Sequence, residues 1–153
     1  MTIEGMDRAI LNVLQKQGRL SKADLAELVN LSPSFCHRRV QRLEKDDFIR
    51  QYVALLDARK IGLPKTVFVE IRLSVQADEV LENFEKAVAL FPDVLECHLM
   101  AGTADYILKV VAENTEDFAR IYRQYLTRLP RVAQMQSSFD WRTVFKTTAL
   151  PVT

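Results

Sequence analysis

The densest group of hydrogen-bond donors in this sequence lies in residues 32–45, SPSFCHRRVQRLEK. Ser32 is a good helix N-cap and Pro33 suits the first helical position, so a helix is predicted to begin there. Its apolar residues recur at helical spacing and predict one buried seam, formed by Cys36, Val40 and Leu43. The opposite face carries side chains that donate hydrogen bonds or carry positive charge, namely Ser34, Arg38, Gln41 and Lys45, flanked by His37 and Arg42.

A helix with one apolar seam and a far side of donors fits the major groove of DNA, where base edges and phosphates present acceptors. A second helix is predicted just before it, because Ser21 with Asp24 three residues later resembles a capping box. The residues that continue this helix are apolar at helical spacing, namely Leu25, Leu28 and Val29. The two segments together predict a helix-turn-helix that binds double-stranded DNA. The alternative is an ordinary solvated face, since cationic far sides are common on surface helices.

The charges are divided unevenly along the chain. Residues 1–60 hold 11 Lys or Arg and 8 Asp or Glu, whereas residues 61–153 hold 10 and 12. The basic excess therefore coincides with the predicted DNA-binding segment, and the rest of the chain is too acidic for a general polyanion binder. The sequence has no apolar run of about 18 residues and no signal-peptide core near its start. A cytoplasmic, nucleoid-associated protein with no membrane partner is expected.

Two Cys-His pairs, Cys36–His37 and Cys97–His98, resemble metal ligands at first sight. Adjacent side chains diverge by about 100° on a helix and point to opposite faces on a strand, so neither pair can converge on one ion. No C-x₂-C or H-x₃-H spacing accompanies them, and no metal site is predicted. Two cysteines in 153 residues are also too few for a disulfide framework.

The chain changes character at residues 58–65, ARKIGLPK, whose glycine and proline predict a linker. Before the linker, residues 1–57 are predicted to form a winged helix-turn-helix domain. This domain would contain a first helix closed by Gly18 in the left-handed conformation, the two helices described above, and a short hairpin over 48–57.

After the linker, residues 66–153 alternate between the strand period and the helix period. A strand with Val67, Val69, Ile71 and Leu73 is followed by a helix that Pro92 ends. Two strands, 94–101 and 105–112, then precede a helix capped by Asn114 and stopped by Pro130. A last strand is predicted at 132–139. The order β-α-β-β-α-β is ferredoxin-like, so the predicted fold class is α+β.

Two helices should cover one face of this sheet and leave the other face open. The open face is predicted to carry apolar residues, Phe68, Met100, Ile107 and Val111, beside polar ones, Glu96, His98, Lys109 and Gln136. An open antiparallel face this apolar predicts contact with a second copy of the chain. A two-fold dimer would also present two recognition helices, as two-fold DNA sites require.

Four segments together resemble one known family, the leucine-responsive and asparagine-operon regulators (Lrp/AsnC). They are DRAILNVLQKQGRLS (7–21), LAELVNLSPSFCHRRVQRLEKDDFI (25–49), VLECHLMAGTADYILKV (94–110) and QSSFDWRTVFKTTALP (136–151). The resemblance covers nearly the whole chain and implies a transcription factor that dimerises through its ferredoxin-like half and assembles into octamers or open helices. It also implies an amino-acid effector bound between subunits, and no other cofactor.

The resemblance places the effector at the turn between the two central strands and opposite the last strand. The residues it implies are Met100, Gly102, Thr103, Ala104, Asp105, Tyr106, Ser137 and Ser138. Gly102 would let the backbone approach a small ligand, N–H groups of the turn would hold its carboxylate, and Asp105 would bind its ammonium. The alternative is that Gly102 and Asp105 only complete the hairpin turn. Because no second charge is evident near the turn, an apolar or sulfur-containing amino acid is predicted.

Two further features follow from the comparison with the family pattern. Asp47 stands where many relatives have glycine, and the usual Gly-Tyr of the wing is Gln51-Tyr52, which implies a less tight hairpin. The C-terminal TTALP segment should be extended, because the residue before Pro151 disfavours helix. The resemblance implies that this tail packs across a neighbouring subunit.

Two other functions are compatible with parts of the sequence. An architectural DNA-binding protein of the nucleoid would share the DNA-binding half and have no effector. A small enzyme on the ferredoxin-like half would need a catalytic set, but no Ser/His/Asp or Cys/His arrangement is evident, and Asp105 and Glu96 lack a partner at catalytic spacing. We therefore predict a non-enzymatic, sequence-specific transcriptional regulator that responds to an amino acid.

Overall fold

The computed structural model describes residues 3–153, which form two compact units. One unit ends at Leu55 and is completed by Phe145–Thr153, and the other comprises Leu56–Val144. The first two residues of the predicted 1–57 domain lie outside the described residues. The predicted linker, 58–65, falls inside the second unit, and its last residue already belongs to a strand. The chain's last nine residues pack with the N-terminal unit, unlike in the predicted division.

Three helices form the N-terminal unit, namely α1 (Gly5–Leu14), α2 (Lys22–Leu28) and α3 (Pro33–Lys45). The predicted caps are confirmed, because Ser21 Oγ accepts from the N–H of Asp24 (3.1 Å) and Ser32 Oγ accepts from the N–H of Phe35 (3.4 Å). Each cap satisfies an amide that has no partner within its own helix. The three helices bury a common core of Ile10, Leu14, Leu25, Ala26, Cys36 and Leu43.

The prediction that Gly18 adopts the left-handed conformation is wrong. The positive φ angles near the helix ends belong to Asn30 (55°) and Asp47 (58°). Short polar side chains tolerate this conformation since they can form local hydrogen bonds. Gly18 lies next to Tyr52, and a Cβ atom on it would be 3.4 Å from Cδ1 of Tyr52, an ordinary van der Waals distance.

The predicted hairpin over 48–57 is also wrong, since no residue of this segment belongs to a strand. Residues 50–57 run exposed and without strand pairing, and Asp47 turns the chain after α3 in the left-handed conformation. Tyr52 ties this segment to α3 by donating a hydrogen bond to Glu44 Oε1 (2.9 Å). Partial burial, together with this bond, raises the pKa of the Tyr52 hydroxyl to about 12. The segment is therefore fixed by a side chain at one point and not by a partner strand.

The second unit has the predicted β-α-β-β-α-β order. Its elements are β1 (Lys65–Leu73), α4 (Asp78–Val88), β2 (Val94–Leu99), β3 (Tyr106–Ala112), α5 (Thr115–Gln124) and β4 (Val132–Phe139). The strands form one antiparallel sheet in the order β2-β3-β1-β4, as the ferredoxin-like prediction requires. Asn114 caps α5 as predicted, but the helix ends at Gln124, and a 3₁₀ turn at Leu126–Arg128 follows it before Pro130.

The inner face of the sheet forms the core of this unit. Val67, Val69 and Ile71 alternate along β1 and are fully buried, together with residues from β3 and the helices. Burial of each such aliphatic side chain stabilises the fold by about 1.5–3 kcal/mol. The outward residues of β1 between them are Phe68, Glu70 and Arg72, which lie opposite Lys109, Ile107 and Gln134 of the neighbouring strands. Phe68 and Met100 are each 41% exposed, so the open face is partly apolar, as predicted.

Candidate DNA-binding face and effector site

Helix α3 presents the predicted DNA-binding residues on one side and the core residues on the other. Ser34, Arg38, Gln41, Arg42 and Lys45 are exposed and His37 is half-buried. The sequence argument missed Lys22 of α2, whose Nζ lies 3.5 Å from Nε2 of His37. Its position at the first residue of α2 adds one more cation next to the donor face of α3.

Phe35 also belongs to this face and was missed. Its ring lies 5.8 Å from the guanidinium carbon of Arg38 and 4.9 Å from that of Arg39. Arginine over an aromatic ring is held by cation–π attraction, which reduces the number of conformations that the side chain visits. An aromatic residue three positions before an arginine on a helix was the available signal. Phe35 therefore restricts the Arg38 side chain on the predicted DNA-binding face.

The third missed residue is Asp7 of α1, which is 1% exposed and accepts hydrogen bonds from two arginines of α3. Arg39 donates to its Oδ1 (2.8 Å), and Arg42 donates to its Oδ2. Arg39 also pairs with Glu4 (2.7 Å). The signal was an acidic residue on the apolar seam of α1, three positions before Ile10. The pairs fix α3 on α1, and they give Arg42 a structural role beside the predicted contact with phosphate.

In the second unit, the turn between β2 and β3 is held from β1. The side chain of Arg72 donates to the carbonyl oxygen of Thr103 through Nε (3.2 Å) and Nη2 (2.9 Å). The carboxylate of Asp105 accepts from the N–H of Leu73 (2.7 Å) and from Nε2 of Gln76 (3.2 Å). Asp105 thus satisfies the backbone of the neighbouring strand, which supports the turn-forming alternative for this residue.

A polar cavity of about 130 Å³ lies beside this turn. It is lined by Glu70, Ile71, Arg72, Thr103, Ala104, Gln134 and Gln136. On β4, Gln136 lies opposite Glu70 of β1 and Gln134 lies opposite Arg72. This pairing brings all four side chains to the open face of the sheet. The cavity offers carboxylate, guanidinium, amide and backbone groups to a small polar ligand.

Of the predicted effector residues at the turn, Thr103 and Ala104 line this cavity, whereas Met100, Gly102, Asp105 and Tyr106 do not. Gly102, Thr103 and Met100 are exposed, whereas Tyr106 is 1% exposed and donates to Glu85 Oε1 (2.6 Å) inside the unit. Burial raises the pKa of the Tyr106 hydroxyl, and the bond to Glu85 adds to the shift.

The predicted serine pair does not converge on this cavity within one chain. Ser138 lies opposite Phe68 on the open face, and Ser137 lies opposite Val69 on the inner face. Adjacent strand residues point to opposite faces, so the two side chains diverge. Gln134 and Gln136 line the cavity instead, four and two residues before Ser138 on the same face.

Comparison with known proteins identifies the family of both parts of the chain. Residues 66–150 match the family model of the Lrp/AsnC ligand binding domain, and residues 3–50 match a winged helix-turn-helix DNA-binding model. The chain belongs to the Lrp/AsnC family. It is 38% identical to the HTH-type transcriptional regulator Zrp of Zymomonas mobilis over 97% of both chains. It is 42% identical to the leucine-responsive regulatory protein of Escherichia coli over 85% of this chain and 79% of that one.

Solved structures of the Lrp/AsnC family have the same fold. A transcriptional regulator of Neisseria meningitidis in complex with L-Met has a TM-score of 0.93 and 35% identity, covering 98% of this chain and 97% of that chain. An AsnC family regulator of Agrobacterium tumefaciens has a TM-score of 0.93 and 38% identity, covering 97% of this chain and 96% of that chain.

The predicted family, fold class and non-enzymatic function are confirmed. This Lrp/AsnC protein is a DNA-binding transcriptional regulator with an amino-acid-binding domain. No helix within residues 3–153 is long and apolar enough to cross a membrane.

Arg38→Ala is expected to weaken operator binding of this Lrp/AsnC protein by about 1–3 kcal/mol, if the guanidinium binds a guanine with two hydrogen bonds. Its side chain is exposed and lies over the Phe35 ring, so the fold should be unaffected. Titration of DNA selected from random sequences measures the loss, with Arg19→Ala as the matched exposed arginine outside α3.

Arg42→Ala provides a contrast to Arg38→Ala, because Arg42 is the predicted phosphate contact. Affinity for all sequences should fall, and the slope of log affinity against log salt should flatten by about one unit. The fold should also lose stability, since Arg42 is bonded to Asp7. Unchanged DNA binding in both variants would show that α3 does not provide the DNA-binding face.

Proposed function

We propose that two copies of α3 in a homodimer recognise a two-fold operator, and that a free amino acid bound at the turn 102–106 changes DNA affinity or assembly. The cavity beside that turn, in the half of the chain that matches a ligand-binding domain, is the observation that carries the proposal. An effector changes an equilibrium only if it binds the two states unequally. A site completed by a second subunit would meet this condition, because assembly would create it.

The groups around the cavity suit the two charges of a free amino acid. The ligand's carboxylate would lie against backbone N–H groups of the turn and the guanidinium of Arg72, which already reaches Thr103. Asp105 was the predicted partner of the ammonium, but its carboxylate is engaged by Leu73 and Gln76. Glu70 is exposed and lines the cavity, so we propose Glu70 as the ammonium partner and Asp105 as the residue that holds the turn.

The ligand's side chain is proposed to be apolar or sulfur-containing. Met100 is 41% exposed and lies directly before the turn, and Ala104 lines the cavity. The Neisseria meningitidis regulator that shares 35% identity with this chain was solved with L-Met, which supports the same chemical class. Ser137 and Ser138 stay proposed contacts, from a neighbouring subunit, because neither lines the cavity of its own chain.

The open face of the sheet is the proposed dimer interface, and association of dimers into octamers or larger assemblies is the proposed next step. Phe68, Met100 and Ile107 give this face its apolar part, which a second copy would cover. A regulator of this kind would act on the chromosome in the cytoplasm.

Calorimetry with L-methionine tests the effector site. Gly102→Val should abolish binding, because a side chain there would fill the approach to the turn, while the fold tolerates it, since a Cβ atom at Gly102 meets no atom within 4 Å. Glu70→Gln should weaken binding by about 1.5–3 kcal/mol, if its charge is used. Glu79→Gln, an exposed glutamate on α4, is the control. Each variant should bind DNA as the wild type does.

Two results would contradict this proposal. Normal binding of L-methionine and other amino acids by Gly102→Val would place the pocket elsewhere. Absence of a thermal shift with all twenty amino acids would favour the architectural alternative, because a ligand at 100 times its Kd stabilises a protein by about 2.7 kcal/mol.

A further inference from the structure

The C-terminal tail, residues 145–153, is bound by side-chain amides at the end of α1, from Asn12 in the helix and Gln15 directly after it. The Gln15 side chain donates from Nε2 to the carbonyl oxygen of Leu150 (2.8 Å) and accepts at Oε1 from the N–H of Leu150 (2.7 Å). One turn earlier, Asn12 Nδ2 donates to the carbonyl oxygen of Val152 (3.0 Å). A single amide group therefore forms with Leu150 the same two bonds that a residue of a neighbouring strand would form.

The two amides are arranged for this contact. Gln15 Nε2 also donates to Asn12 Oδ1 (3.1 Å), which fixes the orientation of both side chains on one face of α1. Every bond to the tail goes to its backbone, and the Leu150 side chain is 72% exposed. Thr148, Leu150 and Val152 of the tail line a cavity of about 380 Å³ together with residues of α1 and the segment 48–53, and Val152 is half-buried. The tail is thus held by a small set of polar bonds and by partial apolar burial, and no side chain of the tail is fully buried, which is typical of a segment that opens locally at low free-energy cost.

We infer that Asn12 and Gln15 form a docking site for the chain's own C-terminal tail, and that the docked tail is a second connection that restrains the DNA-binding unit. The chain leaves that unit after Leu55 and returns to it at Phe145, so two segments join it to the second unit. A unit joined at one point can rotate about its linker, whereas a unit joined at two points loses much of that freedom. Docking should therefore favour binding to two half-sites at a fixed spacing, a consequence that rests on the proposed dimer.

Hydrogen exchange of the full-length protein tests the docking without DNA or effector. The Leu150 amide should be protected in the wild type and should exchange at the rate of an unfolded peptide in Gln15→Ala. Gln17→Ala is the matched control, because its exposed side chain forms no hydrogen bond with the described residues. An unprotected tail in the wild type, or a protected one in Gln15→Ala, would overturn the docking site.

DNA binding tests the restraint. With duplexes that carry one or two selected half-sites, Gln15→Ala should bind the single half-site as the wild type does and should lose affinity for the paired site, on the order of tenfold. Equal affinities of wild type and variant for the paired site would overturn the restraint. If the wild type itself gains nothing from the second half-site, the dimer proposal fails, and the exchange result alone then decides the docking.

Mixed oligomers distinguish a tail docked on its own chain from one docked on a neighbour. A Gln15→Ala chain with its tail is refolded together with a wild-type chain that ends at Lys146. Neither chain can dock its own tail, so no protection of Leu150 is expected. Protection restored in the mixture would show docking across subunits and overturn the inference.

Discussion

Replacing Asp7 by alanine is expected to destabilise the DNA-binding unit by about 1–3 kcal/mol, the cost of leaving buried hydrogen-bonding groups without their partner. The carboxylate is 2% exposed and binds both Arg39 and Arg42. Without it, the two guanidinium groups would lose the acceptor that they share between α1 and α3. Arg39 keeps Glu4 as a partner, so the lower end of the range is expected. Urea denaturation followed by circular dichroism measures the change in free energy.

The control for Asp7→Ala is Asp46→Ala, an exposed aspartate just after α3, which should change stability by less than about 0.5 kcal/mol. Asp7→Asn should lie between the two variants, since an amide oxygen can still accept from Arg39 without balancing its charge. Equal stabilities of Asp7→Ala and Asp46→Ala would show that the ion pairs do not hold α3 in place.

Ile107→Asp is expected to convert the assembled protein into monomers or aggregates. Ile107 lies on the open face of the sheet, opposite Glu70 of β1 and His98 of β2. If this face is the dimer interface, the new carboxylate enters a buried apolar contact without a partner, which costs several kcal/mol. Light scattering coupled to size-exclusion chromatography measures the mass.

Leu90→Asp is the matched control for Ile107→Asp. Leu90 follows α4, is 78% exposed and lies outside the sheet, so its replacement should leave the mass unchanged. A dimer or octamer of Ile107→Asp with wild-type mass would show that subunits pair through another surface.

Local features were predictable from the sequence because local chemistry determines them. Ser21 and Ser32 cap helices through bonds to residues three positions away, so the spacing alone identified both caps. The strand at 132–139 was predicted with its observed bounds, because Pro130 separates it from the preceding helix. The alternation in β1 likewise identified which residues are buried.

Features that depend on contacts between distant residues were not predictable in this way. The pairing of Asp7 with Arg42 joins two helices, and Arg72 reaches Thr103 from another strand, so no spacing within one element indicates either contact. The hairpin at 48–57 was predicted from alternation alone, although no partner strand was identified for it. For Ser137 and Ser138, strand periodicity predicts divergent side chains whereas the family pattern predicts a pair at one site, and within one chain the two side chains diverge.

The discontinuous N-terminal unit has a consequence for the order in which this protein folds. Its three helices are synthesised before residues 56–144, whereas the tail segment that binds Asn12 and Gln15 is synthesised after them. At about 5–20 residues per second, synthesis of residues 56–144 takes several seconds. During this time the three helices lack the tail. All strands of the contiguous ferredoxin-like unit are synthesised before the tail, so this unit can fold before the tail is available. A chain released before the tail is made would then carry a complete ferredoxin-like unit and a DNA-binding unit without the bonds to Asn12 and Gln15.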